Sequence, residues 1–372
     1  MVEKKRMVVS LSLASIIIAA TVLLLFFHPS FPLLTGRGEA KISSMKYAKL
    51  FSIEDKGDYY LLTDGLNRTI VLVKEGRPTP NVRADLTLKL PVNRVIALST
   101  THVAYFEALN AIDRLVGVVS TSTWYLEDIK QMVENGTIKE VGRWTQPNYE
   151  VILSLRPELV TVTGKARKVT GEVVKKLDEL GIPYISIDFS YENHPLGRLE
   201  WIKLFGIICG KEEEAIEFFE SAEQRILSIE ERCKDLNKTK VVCALVGRGG
   251  IWVPGREKYL AKSVEIAGGD YLFKDLVSER YVRVTVEDLL SRAEDADVFI
   301  AIKMGRPVTR EYLLSTVPEL AETKPFKENK VYAMQPWIYQ YAHKADVFVE
   351  ELASILHPEK FKPEKLTMFK RL

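Results

Sequence analysis

The feature of this sequence that most limits its possible folds is an alternation of short apolar segments with amphipathic segments. In the first block of this pattern, apolar segments occur at 94–98, 115–119, 159–163 and 183–188. The segments between them have helical patterns at 101–111, 148–155 and 169–180. Short buried strands that alternate with helices predict a parallel sheet with crossover helices. Residues 93–190 are therefore predicted to form a Rossmann-like α/β lobe.

The alternation stops and then begins again. Residues 191–238 have two helical stretches, at 196–208 and 211–236, with Gly210 between them as a suitable helix C-cap. A second block follows, with strand patterns at 240–246, 298–302 and 330–334 and a helical pattern at 257–267. The predicted class is α/β: two Rossmann-like lobes, the second at 239–372, joined by a long backbone helix.

The N-terminal quarter has a different character. Residues 7–27 are uncharged and follow Lys4, Lys5 and Arg6, and 21 apolar-rich residues are enough to cross a membrane as a helix. We therefore predict a signal-anchor at 1–27, a linker at 28–40, and a small β-rich segment at 41–92. The rest of the chain would lie on the extracytoplasmic face, with cleavage and secretion as the alternative. No cysteine lies just after the apolar stretch, in residues 28–40, so no lipid-bearing N-terminal cysteine is predicted.

Charge and motifs exclude several function classes. The chain has 52 basic and 50 acidic residues, and the small excess lies in the first 40 residues. A balanced body gives no basic surface for nucleic acid. The three cysteines, Cys209, Cys233 and Cys243, have no CxxC spacing, and the five histidines are scattered, so no metal site is predicted. The sequence also has no GxSxG, HExxH or P-loop motif, so we predict no enzyme and no resident cofactor.

Two segments of the predicted lobes resemble each other. Asn148 is followed two positions later by Glu150, and Thr285 is followed two positions later by Glu287. In both cases a good N-cap residue opens a helix that leads to a buried strand. The two lobes are therefore predicted to be topological relatives.

Four segments together resemble a known family. These segments are RVIALSTTHVAYFEALNAIDRLVGV, VGRWTQPNYEVILSLRPELVTVTG, IWVPGREKYLAKSVEIAGGDYLFKD and VTVEDLLSRAEDADVFIAI. Over about 93–350 the chain is similar to the substrate-binding proteins of ABC importers for iron chelates, haem and cobalamin. The resemblance implies capture of a ligand between two rigid lobes and delivery to a membrane permease, with a separate ATPase. It also implies that Glu150 and Glu287 contact the permease.

The candidate ligand contacts lie in loops that follow strands, where open α/β sheets bind ligands. Aromatic rings there offer rigid contact area, arginine and lysine match anionic oxygens, and hydroxyls at a helix start accept or donate hydrogen bonds. The predicted contacts are Ser99, Thr100, Thr101, Trp124, Arg143, Trp144, Arg248, Trp252, Tyr281, Arg283, Lys303, Arg306, Trp337 and Tyr339. Trp144 and Trp252 are expected to flank the cleft.

The basic loops favour an anionic iron(III) chelate, a siderophore, as the ligand. Cobalamin and haem remain alternatives within the same family. A membrane-anchored sensor that meets a signalling partner instead of a permease is the alternative of a different class. We expect the protein to act as a monomer.

Overall fold

The computed structural model describes residues 45–302, 306–363 and 365–372, and only the backbone of Arg167. The described residues form one compact unit. The predicted anchor at 7–27 and linker at 28–40 lie outside the described residues, as does Lys303. Among the residues that are described, no helix is both long enough and apolar enough to span a bilayer.

A small four-stranded sheet comes first. Its strands are β1 (Ser52–Asp55), β2 (Tyr59–Thr63), β3 (Thr69–Val73) and β4 (Leu86–Lys89), in that spatial order. The first three strands are antiparallel neighbours, and β4 runs parallel to β3. Alternating residues of β2 are buried, which is the pattern of a strand with one face on the core.

The first lobe is built on a parallel five-stranded sheet with the order β11-β10-β5-β6-β7. The strands are β5 (Val95–Ala97), β6 (Leu115–Val118), β7 (Lys139–Glu140), β10 (Leu159–Val162) and β11 (Tyr184–Ser186). A separate hairpin pairs β8 (Gly142–Arg143) with β9 (Gln146–Pro147). The helices of this lobe are α1 (Thr100–Ala108), α2 (Glu127–Glu134), α3 (Tyr149–Leu155) and α4 (Arg167–Glu179).

Three helices connect the lobes: α5 (Pro195–Glu200), α6 (Ile202–Cys209) and the 22-residue α7 (Glu212–Cys233). Gly210 ends α6 with a left-handed φ of 68°, as its position predicted. The buried face of α7 includes Ala215, Phe219 and Ile226, at the spacing of a helix with one apolar face. This long helix packs against α6 and against the last helix of the chain.

The second lobe has a seven-stranded mixed sheet. Its strands are β12 (Thr239–Gly247), β13 (Gly250–Pro254), β14 (Gly269–Tyr271), β15 (Tyr281–Val284), β16 (Val298–Ala301), β17 (Val331–Met334) and β18 (Phe369–Arg371). Strands β14, β12, β16 and β17 are parallel, whereas β13, β15 and β18 add antiparallel edges. Its helices are α8 (Tyr259–Ile266), α9 (Val286–Asp295), α10 (Arg310–Thr316), α11 (Lys324–Lys327) and α12 (Ala345–Leu356).

Two buried carboxylates hold the chain that leads into the first sheet. Glu200 accepts hydrogen bonds from the backbone N–H groups of residues 46–48, at 2.7–2.9 Å. Glu192 accepts from those of residues 49 and 50 and from Trp201 Nε1. A buried carboxylate is tolerated when several N–H groups solvate it, so the two glutamates fix residues 46–50 to the connecting region.

The first sheet also covers the edge of β11. Asp64, which is fully buried, accepts from Ser186 N at 3.1 Å and pairs with Arg68, and Arg68 also donates to the carbonyl of Tyr184. An uncovered edge strand would expose unpaired N–H and C=O groups. The small sheet therefore completes the first lobe.

Candidate functional site

Two adjoining cavities lie beyond the carboxyl ends of the parallel strands of both lobes. Residues that follow β5, β6 and β10 line one of them, and residues that end or follow β16 and β17 line the other. This is the position at which open α/β sheets bind ligands. Both cavities fall within the volume range of about 300–1,000 Å³ that is common for small-molecule sites.

The larger cavity, about 750 Å³, is called here the outer compartment. Residues 99–101 and 120–122, together with Thr145 and Thr163, line it mainly with hydroxyl groups. Trp144 and Arg143, from the β8–β9 hairpin, complete its wall, and the Trp144 side chain is 43% exposed. Among its described lining residues, this compartment therefore offers many neutral hydrogen-bonding groups, the three aromatic side chains of Trp144, Tyr191 and Tyr339, and one cation.

The smaller cavity, about 360 Å³, is called here the inner compartment. Three cationic side chains line it: Arg198 from α5, Lys258 at the N-cap position of α8, and Lys344 just before α12. Its other lining residues include the tyrosines Tyr191, Tyr259, Tyr281, Tyr339 and Tyr341. No Asp or Glu is among the described residues that line this compartment.

The two compartments share four lining residues, Thr101, Ser190, Tyr191 and Tyr339. Thr101 belongs to the first lobe, Ser190 and Tyr191 to the connection, and Tyr339 to the second lobe. Since the same residues line both spaces, one ligand of sufficient length can occupy both. We name these four residues the neck.

Local sequence explains where Arg198 points. Pro195 opens α5 at its first turn, and His194 Nδ1 accepts a hydrogen bond from Leu196 N at 3.1 Å. Pro195 and Arg198, three residues apart on one helix face, line the inner compartment. The Arg198 guanidinium stacks 3.8 Å from the centre of the Tyr259 ring, which holds the side chain in place.

The pKa of Lys258 reflects its surroundings. Burial, followed by the positive charge of Arg198, lowers the pKa of this amine to about 8, and Glu279 opposes the shift. The amine lies 5.7 Å from the centre of the Tyr281 ring. Burial raises the pKa of Tyr281, so its phenol stays a neutral hydroxyl at physiological pH. The two cations thus face each other in a partly desolvated space.

A segment of the second lobe contacts the first lobe beside this site. The side chain of Gln340 is fully buried, accepts from Tyr125 N at 2.7 Å and donates to the carbonyl of Thr123 at 3.1 Å. Trp337 lies 5.7 Å from Tyr125, ring centre to ring centre, and His343 Nε2 is 3.5 Å from a Glu107 carboxylate oxygen. We call residues 337–343 the clasp, because they join the lobes away from the connecting helices.

Seven of the predicted contact residues do line the two compartments. They are Ser99, Thr100, Thr101, Arg143, Trp144, Tyr281 and Tyr339. Ser99 occupies the N-cap position of α1, but its side chain makes no capping hydrogen bond and lies 2.7 Å from the Thr101 hydroxyl. The hydroxyl pair is therefore free of the helix backbone and faces the outer compartment.

Six other predicted contacts line neither compartment. Trp124 is buried in the hydrophobic core, and Trp337 belongs to the clasp. Trp252 and Arg283 are paired across β13 and β15, with the guanidinium 5.8 Å from the ring centre, and neither lines these two compartments. Arg248 and Arg306 are exposed.

Sequence reasoning missed the cations of the inner compartment. Arg198 lies on a connecting helix and not in a loop after a strand, and Lys258 precedes a helix. Lys258 and Tyr259 fall within a segment that carries the family resemblance, which was the signal available for them. Within the residues that the structure describes, no three His, Cys, Asp or Glu side chains group as a metal site would need.

Glu150 and Glu287 occupy matching positions on the two lobes. Both are exposed and lie in the first turn of their helices, α3 and α9. Asn148 accepts from Val151 N, and Thr285 forms a capping box with Asp288, so both predicted N-caps are confirmed. The role of the two glutamates in docking stays a prediction.

Comparison with known proteins adds independent evidence. A family model described as "Periplasmic binding protein" matches residues 95–336. An uncharacterized lipoprotein of Methanocaldococcus jannaschii is 30% identical over 332 residues, which cover 85% of this chain and 78% of the relative. An uncharacterized ABC transporter substrate-binding lipoprotein of Bacillus subtilis is 21% identical, over 75% of this chain and 84% of its own length.

Solved structures show the same fold. A periplasmic haem-binding protein from Pseudomonas aeruginosa has a TM-score of 0.61 at 21% identity, and covers 75% of this chain and 97% of its own. A component of an Fe³⁺-hydroxamate transport system from Saccharomonospora viridis has a TM-score of 0.53 at 19% identity, and covers 71% and 93%. The family is one of solute-binding proteins, which confirms the prediction of a binding protein rather than an enzyme. This chain belongs to the periplasmic binding protein family.

Proposed function

We propose that the protein is the extracytoplasmic substrate-binding component of an ABC importer, and that it captures an iron(III) chelate between its lobes. The observation that carries this proposal is the pair of connected compartments at the carboxyl ends of both sets of parallel strands. The Bacillus subtilis relative is named an ABC transporter substrate-binding lipoprotein, and the solved structures of like fold include haem and Fe³⁺-hydroxamate proteins. Its partners would be a membrane permease and an ATPase.

The predicted ligand contacts that line the compartments support this function. Trp144, half-exposed at the outer compartment, offers an aromatic face to the organic shell of a chelate. Arg143 and the inner cations favour anionic oxygens, as an iron(III) siderophore presents them. Haem and cobalamin are the alternatives that the experiment must separate.

The test is a titration of the purified full-length protein followed by tryptophan fluorescence. A ferric polycarboxylate, a ferric trihydroxamate, haem and cobalamin would each be added separately. We expect saturable quenching by a ferric chelate, and we expect Trp144→Phe to remove most of the change while Trp252→Phe retains it. A saturable response to cobalamin alone would exclude an iron chelate, and no response to any of the four would refute ligand capture.

We also propose that residues 7–27 anchor the protein in the membrane. Two of the relatives are named lipoproteins, but the first cysteine in this sequence is Cys209, which is buried in the second connecting helix α6. An apolar N-terminal helix would serve the same purpose as a lipid. A chain that lacks residues 7–27 should move from the membrane fraction to the soluble fraction if its export is supplied by a cleavable signal; retention in the membrane would contradict the proposal.

A further inference from the structure

The two compartments differ sharply in charge. The outer compartment is lined mainly by serine and threonine hydroxyls, with Arg143 as its one cation among the described lining residues. The inner compartment has three cations and no lining carboxylate among the residues described. A ligand that fills both spaces therefore meets a hydroxyl-rich surface with one cation at one end and a surface with three cations at the other.

Two of the three cations of the inner compartment have no ion pair with the described residues. Neither Arg198 nor Lys258 has an ion-pair partner within 4.0 Å in the described part of the chain. The Glu279 carboxylate lies outside the cavity lining, and its negative charge opposes the burial that lowers the pKa of Lys258. It accepts a hydrogen bond from Asn193 at 3.2 Å. Two like charges held close in a partly desolvated space cost free energy unless an anion joins them.

The third cation has a different environment. The Lys344 amine lies 4.7 Å from the centre of the Tyr341 ring. Burial raises the pKa of Glu107, the first-lobe residue that His343 of the clasp contacts, and the positive charge of Lys344 opposes that rise. Lys344 is therefore partly balanced by the protein. Arg198 and Lys258 are therefore the two cations whose positive charge a ligand would balance.

We propose that the inner compartment is a subsite for an anionic oxygen group, a carboxylate or a catecholate, at one end of the ligand. Arg198 and Lys258 bind this group, and phenol hydroxyls such as those of Tyr259 and Tyr281 donate to it. The neutral, hydrogen-bonding body of the ligand then passes the neck and lies in the outer compartment against Trp144. The inference rests on the proposed function and adds the charge and the orientation of the ligand.

The test uses the full-length protein, tryptophan fluorescence and two ferric probes that differ in charge, an anionic polycarboxylate chelate and a neutral trihydroxamate chelate. We expect Arg198→Gln and Lys258→Gln each to weaken binding of the anionic probe by about tenfold or more, since each removes a charge-assisted hydrogen bond. Binding of the neutral probe should change by less than about twofold, since it gains nothing from these charges.

Charge-conserving variants separate a binding role from a structural one. Lys258→Arg and Arg198→Lys keep the positive charge and should retain most of the affinity for the anionic probe. Lys234→Gln, which removes an exposed cation just after α7, is the matched control and should change nothing. The unfolding temperature of every variant shows whether a loss of binding reflects a loss of folded protein.

The outcomes distinguish the two proposals. Binding of the anionic chelate that is unchanged by Arg198→Gln and Lys258→Gln would refute the anion subsite and leave capture of an iron chelate intact. Binding of haem alone, weakened by the same variants, would support the subsite through the haem carboxylates and reject the siderophore preference. Failure of every probe to bind would overturn both proposals.

Discussion

Lys258 is the residue whose titration should be visible in ligand binding. Its pKa of about 8 is low because it is buried beside Arg198, and an anion bound between the two cations would raise that pKa again. The other groups that face the amine are Glu279, which opposes the shift, and Tyr281, whose raised pKa keeps the phenol neutral. Above pH 8, the protein should therefore take up a proton at Lys258 when it binds an anion.

The expected result is a loss of affinity for the anionic ferric probe of about tenfold between pH 7 and pH 9, because only the protonated amine attracts the anion. Lys258→Arg should remove this loss, since arginine stays charged throughout that range. Titrations of the unaltered protein and of Lys258→Arg at each pH measure the effect. A change in the ionisation of the probe itself would alter the affinity of both proteins equally. A parallel loss in Lys258→Arg would show that another group is responsible.

At the scale of single residues, the sequence predicted some contacts and missed others for one physical reason. Ser99, Thr101 and Trp144 follow strand ends, and that position alone places them at the edge of the sheet where the cavity lies. Whether a tryptophan such as Trp124 is buried depends on chain segments far away in sequence. Arg198 could not be predicted from strand ends, because α5 brings it to the site from the connecting region.

At the scale of elements, one side chain of the clasp makes two hydrogen bonds to the other lobe. Gln340 satisfies a backbone N–H of residue 125 and a backbone C=O of residue 123 in the other lobe. Replacing Gln340 by leucine keeps the volume but leaves both groups without that partner, which should lower the free energy of unfolding by about 1–3 kcal/mol. Urea denaturation measures the change.

The matched control for the clasp is Gln224→Leu, an exposed position on α7. It should change the free energy of unfolding by less than about 0.5 kcal/mol, as surface substitutions usually do. Equal effects of the two substitutions would mean that the hydrogen bonds of Gln340 contribute nothing to the contact between the lobes. No local pattern in the sequence predicts this contact, because Gln340 and Tyr125 are 215 residues apart.

The helices and strands of both lobes were more predictable than their contacts. A parallel strand needs a crossover helix, so the alternation at 94–188 and again after residue 239 implies two parallel sheets before any contact is known. The covering of β11 by the first sheet is set by hydrogen bonds between distant segments, such as that between Ser186 and Asp64. The prediction of a β-rich segment was therefore possible, but its role at the edge of the first lobe was not.

At the scale of the whole molecule, Glu150 and Glu287 offer one free carboxylate on each lobe. Both project from capped first turns, and neither makes a hydrogen bond or ion pair through its side chain in the described part of the chain. Exposed apolar residues accompany them, Leu153 on α3 and Val286 on α9. We therefore propose that a partner with two basic sites contacts both lobes at once through these carboxylates.

The double variant Glu150→Lys with Glu287→Lys should keep its affinity for the ligand. It should lower uptake of the ligand by cells by about tenfold or more, because the new lysines would face the basic sites of the partner. Each single variant should have a smaller effect. Glu220→Lys, an exposed position on α7, is the control for added charge and should leave uptake unchanged. Normal uptake by the double variant would exclude both carboxylates from the contact, and lost ligand binding would show that they act on the cleft instead.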